Sequence, residues 1–241
     1  MSGSVSGRSP LGVVWRRKKL LVLPGVTVAV VGGAAGLVVW AEVLLGGSLV
    51  LGVAGLVVLS FLAVFGHAAL LIAAADALRG RPVGVGSSYG RAAGRVPGIA
   101  AWAPIGAAQL LGAVSVVGAA WSLGSYLVVP AMVLDGVGVR DAMRGSRETY
   151  RRDRAGFMQG TSVLATPFLL TFLPSVVVFF VGLTATDRRL GAMLVGCAGL
   201  FLGAGATVTA SLFGVFRARL YLESKGAVVA AEPVSDVSPV E

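Results

Sequence analysis

A run of 39 residues without a charged side chain, from Val96 to Leu134, constrains this chain more than any other feature. A single α-helix of that length would measure about 58 Å, at about 1.5 Å per residue. The hydrocarbon core of a bilayer is only about 30 Å thick, and a helix crosses it with roughly 20 residues. We therefore expect this run to fold back on itself as two membrane-crossing helices, with the turn near residues 118–124.

Four further uncharged runs lie beside it, at residues 20–41, 43–75, 155–186 and 190–216. Charged residues make up only 13% of the chain, about half the roughly 25% that is typical of soluble domains. Run 155–186 would measure about 48 Å as a helix, which is too short for two full spans. The sequence thus predicts an all-α, polytopic membrane helical bundle of six transmembrane helices, with spans at about 20–41, 49–76, 97–117, 121–135, 160–183 and 190–216.

The lysines and arginines give this topology a direction. With six spans, 18 of the 20 basic residues fall on one side of the membrane, and only Arg188 and Arg189 fall on the other. Cytoplasmic loops carry an excess of basic residues, so we expect both termini in the cytoplasm and the protein in the cytoplasmic (inner) membrane as a multi-pass protein. Residues 1–19 then form a basic cytoplasmic N-terminus, residues 20–222 the membrane domain, and residues 223–241 a disordered cytoplasmic tail.

Two cytoplasmic segments have helical patterns. Within residues 139–155, arginines recur at helical spacing along one stripe: Arg140, Arg144, Arg147, Arg151 and Arg154. We take them as candidate lipid- or partner-binding residues that contact anionic headgroups, at about 1 kcal/mol per basic residue. The alternative is a solvated helix whose arginines only enforce topology. A shorter helix is expected at residues 87–96, capped by Ser87 or Ser88.

Few polar side chains lie within the spans, and such residues are functional candidates by default. His67 and Gln109 lie deep in their spans, whereas Asp76 and Asp135 lie at inner ends. For the two deep residues, a ligand contact or proton relay competes with an interhelical hydrogen bond worth about 0.6 kcal/mol. For the two aspartates we expect local ion pairs with neighbours in sequence, Arg79 and Arg81 or Arg140.

Small residues are frequent, and 35 of the 241 residues are glycine. Pairs at small-xxx-small spacing, Gly32 with Gly36 and Gly199 with Gly203, are typical of close helix packing in membranes. We interpret them as packing positions. Either a second copy of this chain or another membrane protein remains open as a partner.

Catalytic motifs are missing from the sequence. It contains one cysteine and one histidine, and it has no phosphate-binding Gly loop with Lys and Ser, no His-Glu-x-x-His and no Gly-x-Ser-x-Gly. We therefore expect no enzymatic activity, no catalytic residues, no metal site and no cofactor. The net charge of +9 reflects loop charge on one side of the membrane and does not indicate nucleic-acid binding.

Two functions remain. The first is a structural or accessory bundle whose basic cytoplasmic face contacts anionic lipid or a partner. The second is a small transporter or channel with a site between helices near His67 and Gln109, for which intramembrane prolines and polar groups are the motivation.

A motif between Trp121 and Gly160 carries a family resemblance. The motif consists of a Trp, a small hydroxyl residue, an aromatic residue, a Val-Val-Pro, an acidic residue followed by Gly, and an Ala-x-x-x-Ser helix followed by arginines. These residues are Trp121, Ser125, Tyr126, Val128, Val129, Pro130, Asp135, Gly136, Ala142, Ser146, Arg151 and Arg152. The segment from Lys19 to Pro24 also fits. The chain resembles a family of six-helix integral membrane proteins of bacteria and archaea, and distantly the membrane domain attached to some glycerophosphodiester phosphodiesterases. That family usually has Glu where Asp135 stands. The resemblance implies the six-helix fold over residues 15–222 and implies no catalytic residue.

Overall fold

The computed structural model of the chain describes residues 19–112, 125–152, 169–170 and 172–226. Within these ranges all regular structure is helical, and the expected all-α class is confirmed. A π-helical turn, Ala131–Asp135, follows the fifth helix directly. In chain order the helices are α1 (Lys19–Leu44), α2 (Leu49–Leu78), α3 (Val85–Ala93), α4 (Val96–Gly112), α5 (Val128–Pro130), α6 (Val139–Arg152), α7 (Phe172–Thr184) and α8 (Arg188–Ser224).

Three of these helices are long and apolar enough to cross a membrane. They are Lys19–Leu44, Leu49–Leu78 and Arg189–Ser224, with mean hydropathies of 2.1, 2.6 and 1.8. Two shorter apolar helices, Val96–Ala108 and Phe172–Thr184, accompany them. These helices indicate a membrane-embedded protein. The turn expected near residues 118–124 lies outside the described residues.

Helices α1 and α2 form a hairpin with a short, glycine-dependent loop. Gly46 and Gly47 both have positive φ angles, of 73° and 78°, which side chains other than glycine rarely adopt. Ser48 caps α2 by accepting a hydrogen bond from the Leu51 amide. The Glu42 carboxylate accepts the Ser48 amide at 2.7 Å. The carboxylate that ends the first apolar run therefore closes this loop.

Helix α2 is the centre of the bundle. It packs against α1, α3, α4, α8 and the π-helical turn. Every residue from Ala68 to Leu78 is buried, and six of these eleven are alanine. With alanine at six of these positions, neighbouring helices approach α2 closely, which is how helices pack tightly in lipid.

Glycines at close contacts differ from the pairs that spacing indicated. A Cβ on Gly66 would overlap the Thr27 side chain of α1, and one on Gly214 would overlap Leu70 of α2. By contrast, no described atom lies within 4 Å of a Cβ built on Gly32, Gly36 or Gly199. The packing role of those three glycines therefore stays a prediction. Spacing alone does not reveal which face of a helix meets a neighbour.

Most of the described basic residues lie at one end of the bundle, and we call this end the basic end. Helix α4 begins at this end, and the π-helical turn ends here. The Arg95 guanidinium lies against the backbone of Gly136, which has a φ of 72°. Gly98 faces Met132, whose methyl group lies 3.8 Å from an ideal Cβ position. Both ends of the uncharged 96–134 run thus lie together.

Two helix boundaries differ from the sequence expectation. Helix α3 begins at Val85, and both Ser87 and Ser88 donate their hydroxyls to the Gly84 carbonyl. Neither serine therefore caps the helix N-terminus. Helix α8 continues to Ser224, eight residues beyond the expected span end at 216, because apolar residues keep the helical period past Arg217.

We expect Gly66→Ala to lower the free energy of unfolding by about 1–3 kcal/mol, because the added methyl group overpacks the α1–α2 contact at Thr27. Gly36→Ala is the matched control, since the same methyl group meets open space there. Unfolding in a mild detergent, followed by helical circular dichroism, measures both. Equal stabilities of the two variants would contradict this packing.

Candidate functional site

A cavity of about 500 Å³ lies between α1, α2, α4, α8 and the turn before α5. Volumes of this size are typical of sites for small molecules. Most of its wall is apolar, but five polar side chains also line it: Ser60, His67, Ser125, Tyr126 and Arg217. The cavity wall includes the only histidine of the chain, and no carboxylate occurs among the described residues of this wall.

Arg217 of α8 is the charged group of this wall. Its Nη1 lies 3.3 Å from Nε2 of His67, and its guanidinium carbon lies 4.0 Å above the ring of Tyr126. Its Nε is buried and has no hydrogen-bond partner among the described residues. A guanidinium only donates hydrogen bonds, so Nε2 of His67 accepts and this imidazole is neutral.

The other basic residues at the end of α8 have carboxylate partners. Arg219 pairs with Glu223 at 2.7 Å, and Lys225, just past the helix, pairs with Asp135 at 3.0 Å. In the described part of the chain, Arg217 has no such partner. Among the described residues it is therefore a cation that lines a cavity without a carboxylate counter-charge.

Helix α8 is positioned by small and polar residues. The Ser211 hydroxyl contacts the Leu20 carbonyl of α1 at 3.4 Å. Gly214 allows Leu70 of α2 to approach, and Ala218 is fully buried. These contacts fix the rotation of α8 about its axis, so that Arg217 lies on the face toward α2.

The residue after Tyr126 is held by α6, the arginine-rich helix that the sequence predicts. The Leu127 amide donates to the Ser146 hydroxyl at 3.1 Å, within the protein interior. Ala142, one turn earlier on α6, is also buried. The residues that carried the family resemblance therefore lie together: Ser125 and Tyr126 line the cavity, and Ser146 anchors their turn.

The two aspartates form ion pairs, but not with the expected partners. Asp76 is only 6% exposed and pairs with Arg91 of α3, not with Arg79 or Arg81. The chain turns back after α2, so α3 brings Arg91 over the end of α2.

Asp135 likewise pairs across the fold rather than with Arg140. It accepts the Tyr221 hydroxyl at 2.5 Å and contacts Lys225. Because α8 ends beside the π-helical turn, its last residues reach Asp135. The expectation of partners close in sequence was wrong for both aspartates.

The remaining predicted site residues lie elsewhere. On α6, the stripe residues Arg140, Arg144, Arg147 and Arg151 are exposed, whereas Ala142 and Ser146 form the buried face. Arg154 lies outside the described residues, as does the side chain of Gln109. The stripe and His67 are therefore on different parts of the molecule.

Sequence reasoning missed Arg217, which it assigned to the segment after the last span. It also missed Ser60, Trp102 and Tyr126 as lining residues. One signal was available: Leu212, Val215, Ala218 and Tyr221 continue a buried helical face past Arg217. A charge inside such a pattern indicates a helix position rather than a loop.

A metal centre has no support in the described ranges, where no group of three or more His, Cys, Asp or Glu side chains occurs. Comparison with known proteins finds no matching family model, no matching curated protein and no matching solved structure. The family resemblance and the absence of enzymatic activity therefore stay predictions. The cavity and its chemistry are the basis for the function.

Proposed function

We propose that this chain is a multi-pass protein of the cytoplasmic membrane, with six spans and both termini in the cytoplasm. The proximity of Arg95 to Gly136 supports the hairpin over residues 96–134, because both ends of that run lie at the basic end. The bias of basic residues toward that end supports its cytoplasmic side.

The function that we propose for it is non-enzymatic: it binds a small molecule in the cavity beside His67, as a small transporter or channel does. One observation carries this proposal. Arg217 faces a cavity of about 500 Å³ and has no carboxylate partner in the described part of the chain. No metal, cofactor or nucleic acid belongs to the proposal.

Stability alone does not account for this arrangement. A cavity in a packed protein lowers stability in proportion to its volume. A charged arginine within a membrane domain costs at least about 2.5–3.5 kcal/mol relative to water. A bundle with a purely structural role would be more stable with an apolar side chain that fills the cavity. A ligand therefore explains the cavity and the charged arginine better than a structural role does.

A second candidate is the lipid- or partner-binding face. Its support is the exposed stripe on α6, where the Arg144 side chain is 82% exposed. A cleft of about 380 Å³ at the same end is lined by three further arginines, Arg79, Arg91 and Arg95. These cations lie where anionic headgroups of the cytoplasmic leaflet would meet the protein.

The topology predicts which loops an impermeant thiol reagent reaches. With Cys197 replaced by serine, Thr186→Cys should react with an impermeant maleimide in intact cells. Ser87→Cys at the basic end should react only after the cells are permeabilised. The reverse pattern would overturn the orientation, and reaction of both in intact cells would overturn the arrangement of spans.

The cavity predicts a water-accessible thiol at Ser60→Cys in the same background. The thiolate, which forms in water, attacks the thiosulfonate sulfur of the reagent, forms a mixed disulfide and releases sulfinate. Val58→Cys is the lipid-facing control, since Val58 is 52% exposed. Ala74→Cys is the fully buried control. Labelling of the purified protein by a charged thiosulfonate measures all three. If Ser60→Cys is as unreactive as Ala74→Cys, the proposed cavity function fails.

For the lipid-binding face, replacing Arg140, Arg144, Arg147 and Arg151 together by Gln should weaken association with anionic lipid by about 1 kcal/mol per residue at most. Insertion should be unchanged, since these residues lie outside the spans. The amount of phosphatidylglycerol relative to phosphatidylcholine that co-purifies with the protein is the measurement. An unchanged ratio counts against this candidate.

A further inference from the structure

The cavity also indicates the chemistry of its ligand, and this inference rests on the proposed function. We infer that the cavity takes an anion whose carboxylate or phosphate oxygens pair with Arg217, and that a hydrocarbon tail on this anion lies along the apolar wall. Lipid-derived amphiphiles and free phosphate both carry such anionic oxygens, and the experiment below distinguishes these two sources.

The charge of the site favours an anion. Arg217 is always protonated, and the imidazole that it contacts is neutral because it accepts a hydrogen bond. No aspartate or glutamate occurs among the described residues that line the cavity. A bound carboxylate or phosphate therefore supplies the counter-charge that the protein lacks at this position. A cationic ligand would instead be repelled.

The guanidinium is oriented for such a pairing. His67 contacts Nη1 on one edge, and the ring of Tyr126 covers one face. The Nε edge is buried and lacks a hydrogen-bond partner within the described residues. Carboxylate and phosphate oxygens accept from a guanidinium edge in a bidentate geometry. The two aromatic rings thus restrict how the Arg217 guanidinium can turn within the cavity wall.

The shape of the cavity favours an amphiphile over a small inorganic anion. Along α2 its lining residues fall on one helical face from Leu56 through Ser60 and Val64 to His67. This face is about 16 Å long, at about 1.5 Å per residue. Its end at His67 is polar and charged, whereas Leu56 makes the other end apolar. One hydrocarbon chain with an acidic end group matches both ends.

Quenching of Trp102 fluorescence tests the inference, because this indole lines the cavity. The probes are 12-bromododecanoate and its neutral match 12-bromododecanol, titrated into the full chain in a neutral detergent. We expect the acid to bind at least tenfold more tightly than the alcohol. Trp102→Phe should remove the quenching, and if the quenching persists in this variant, the tail is not in the cavity.

Two arginines two positions apart on α8 provide the matched comparison. Arg217→Gln should abolish the preference for the acid, whereas Arg219→Gln should retain it, since Arg219 pairs with Glu223. Arg217→Lys keeps the charge without the fork and should retain part of the preference. Equal binding of acid and alcohol by the unmodified protein would overturn the inference.

A variant that leaves Arg217 intact covers the case in which Arg217→Gln does not fold. Leu56→Trp fills the apolar end and should weaken binding of 12-bromododecanoate at least tenfold. Binding unaffected by this change would overturn the placement of the tail. Inorganic phosphate is the soluble competitor: we expect it to displace the probe only weakly, and strong displacement would assign the site to a free anion and overturn the tail.

The outcome also separates this inference from the proposed function. If Ser60→Cys is water-accessible but neither anion is preferred over the alcohol, the cavity function stands and the ligand class is wrong. If Ser60→Cys is unreactive, the cavity function itself is wrong.

Discussion

The rest of this structure depends on the close packing of neighbouring helices against the alanine-rich part of α2. From Ala68 to Leu78, α2 has neighbours on all sides and no residue is exposed. In lipid there is little hydrophobic driving force between helices, so backbones must approach closely for dispersion and hydrogen bonds to hold them together. From His67 toward the α1–α2 loop, one face of α2 lines the cavity, whereas Gly66 and Gly55 on another face still contact α1 closely.

The basic end is stabilised by pairs that join distant parts of the chain. Asp76 binds Arg91 of the following helix, and Asp135 binds Tyr221 and Lys225 at the end of α8. Partly buried charges need such partners, because desolvation is costly without them. These contacts fix the ends of α2, α8 and the π-helical turn. They also hold in place the two helices, α2 and α8, from which His67 and Arg217 enter the cavity wall.

The sequence predicted the long apolar helices, because length and hydropathy decide them locally. The exposed stripe of α6 was also predictable, because its arginines recur on one side of the helix. Ala142 and Ser146 lie on the buried face. The partners of Asp76 and Asp135 were not predictable, since residues 15 to 90 positions apart meet only in the folded bundle. Arg217 was assigned to a loop for a related reason. A count of charges treats each arginine as a topology signal and does not reveal which one points inward.

The direction of Arg217 is itself an argument for a site. An arginine near the end of a membrane helix normally extends its side chain toward the interface, where water solvates the guanidinium. Arg217 lies seven residues before the end of α8, only about 10 Å from it. Its guanidinium instead contacts His67, which is eleven residues, or about 16 Å, from the basic end of α2. The side chain thus turns away from the nearer water. Stacking on Tyr126 and one hydrogen bond to a neutral imidazole compensate only part of that loss, and the anion that we propose as the ligand would supply the remainder.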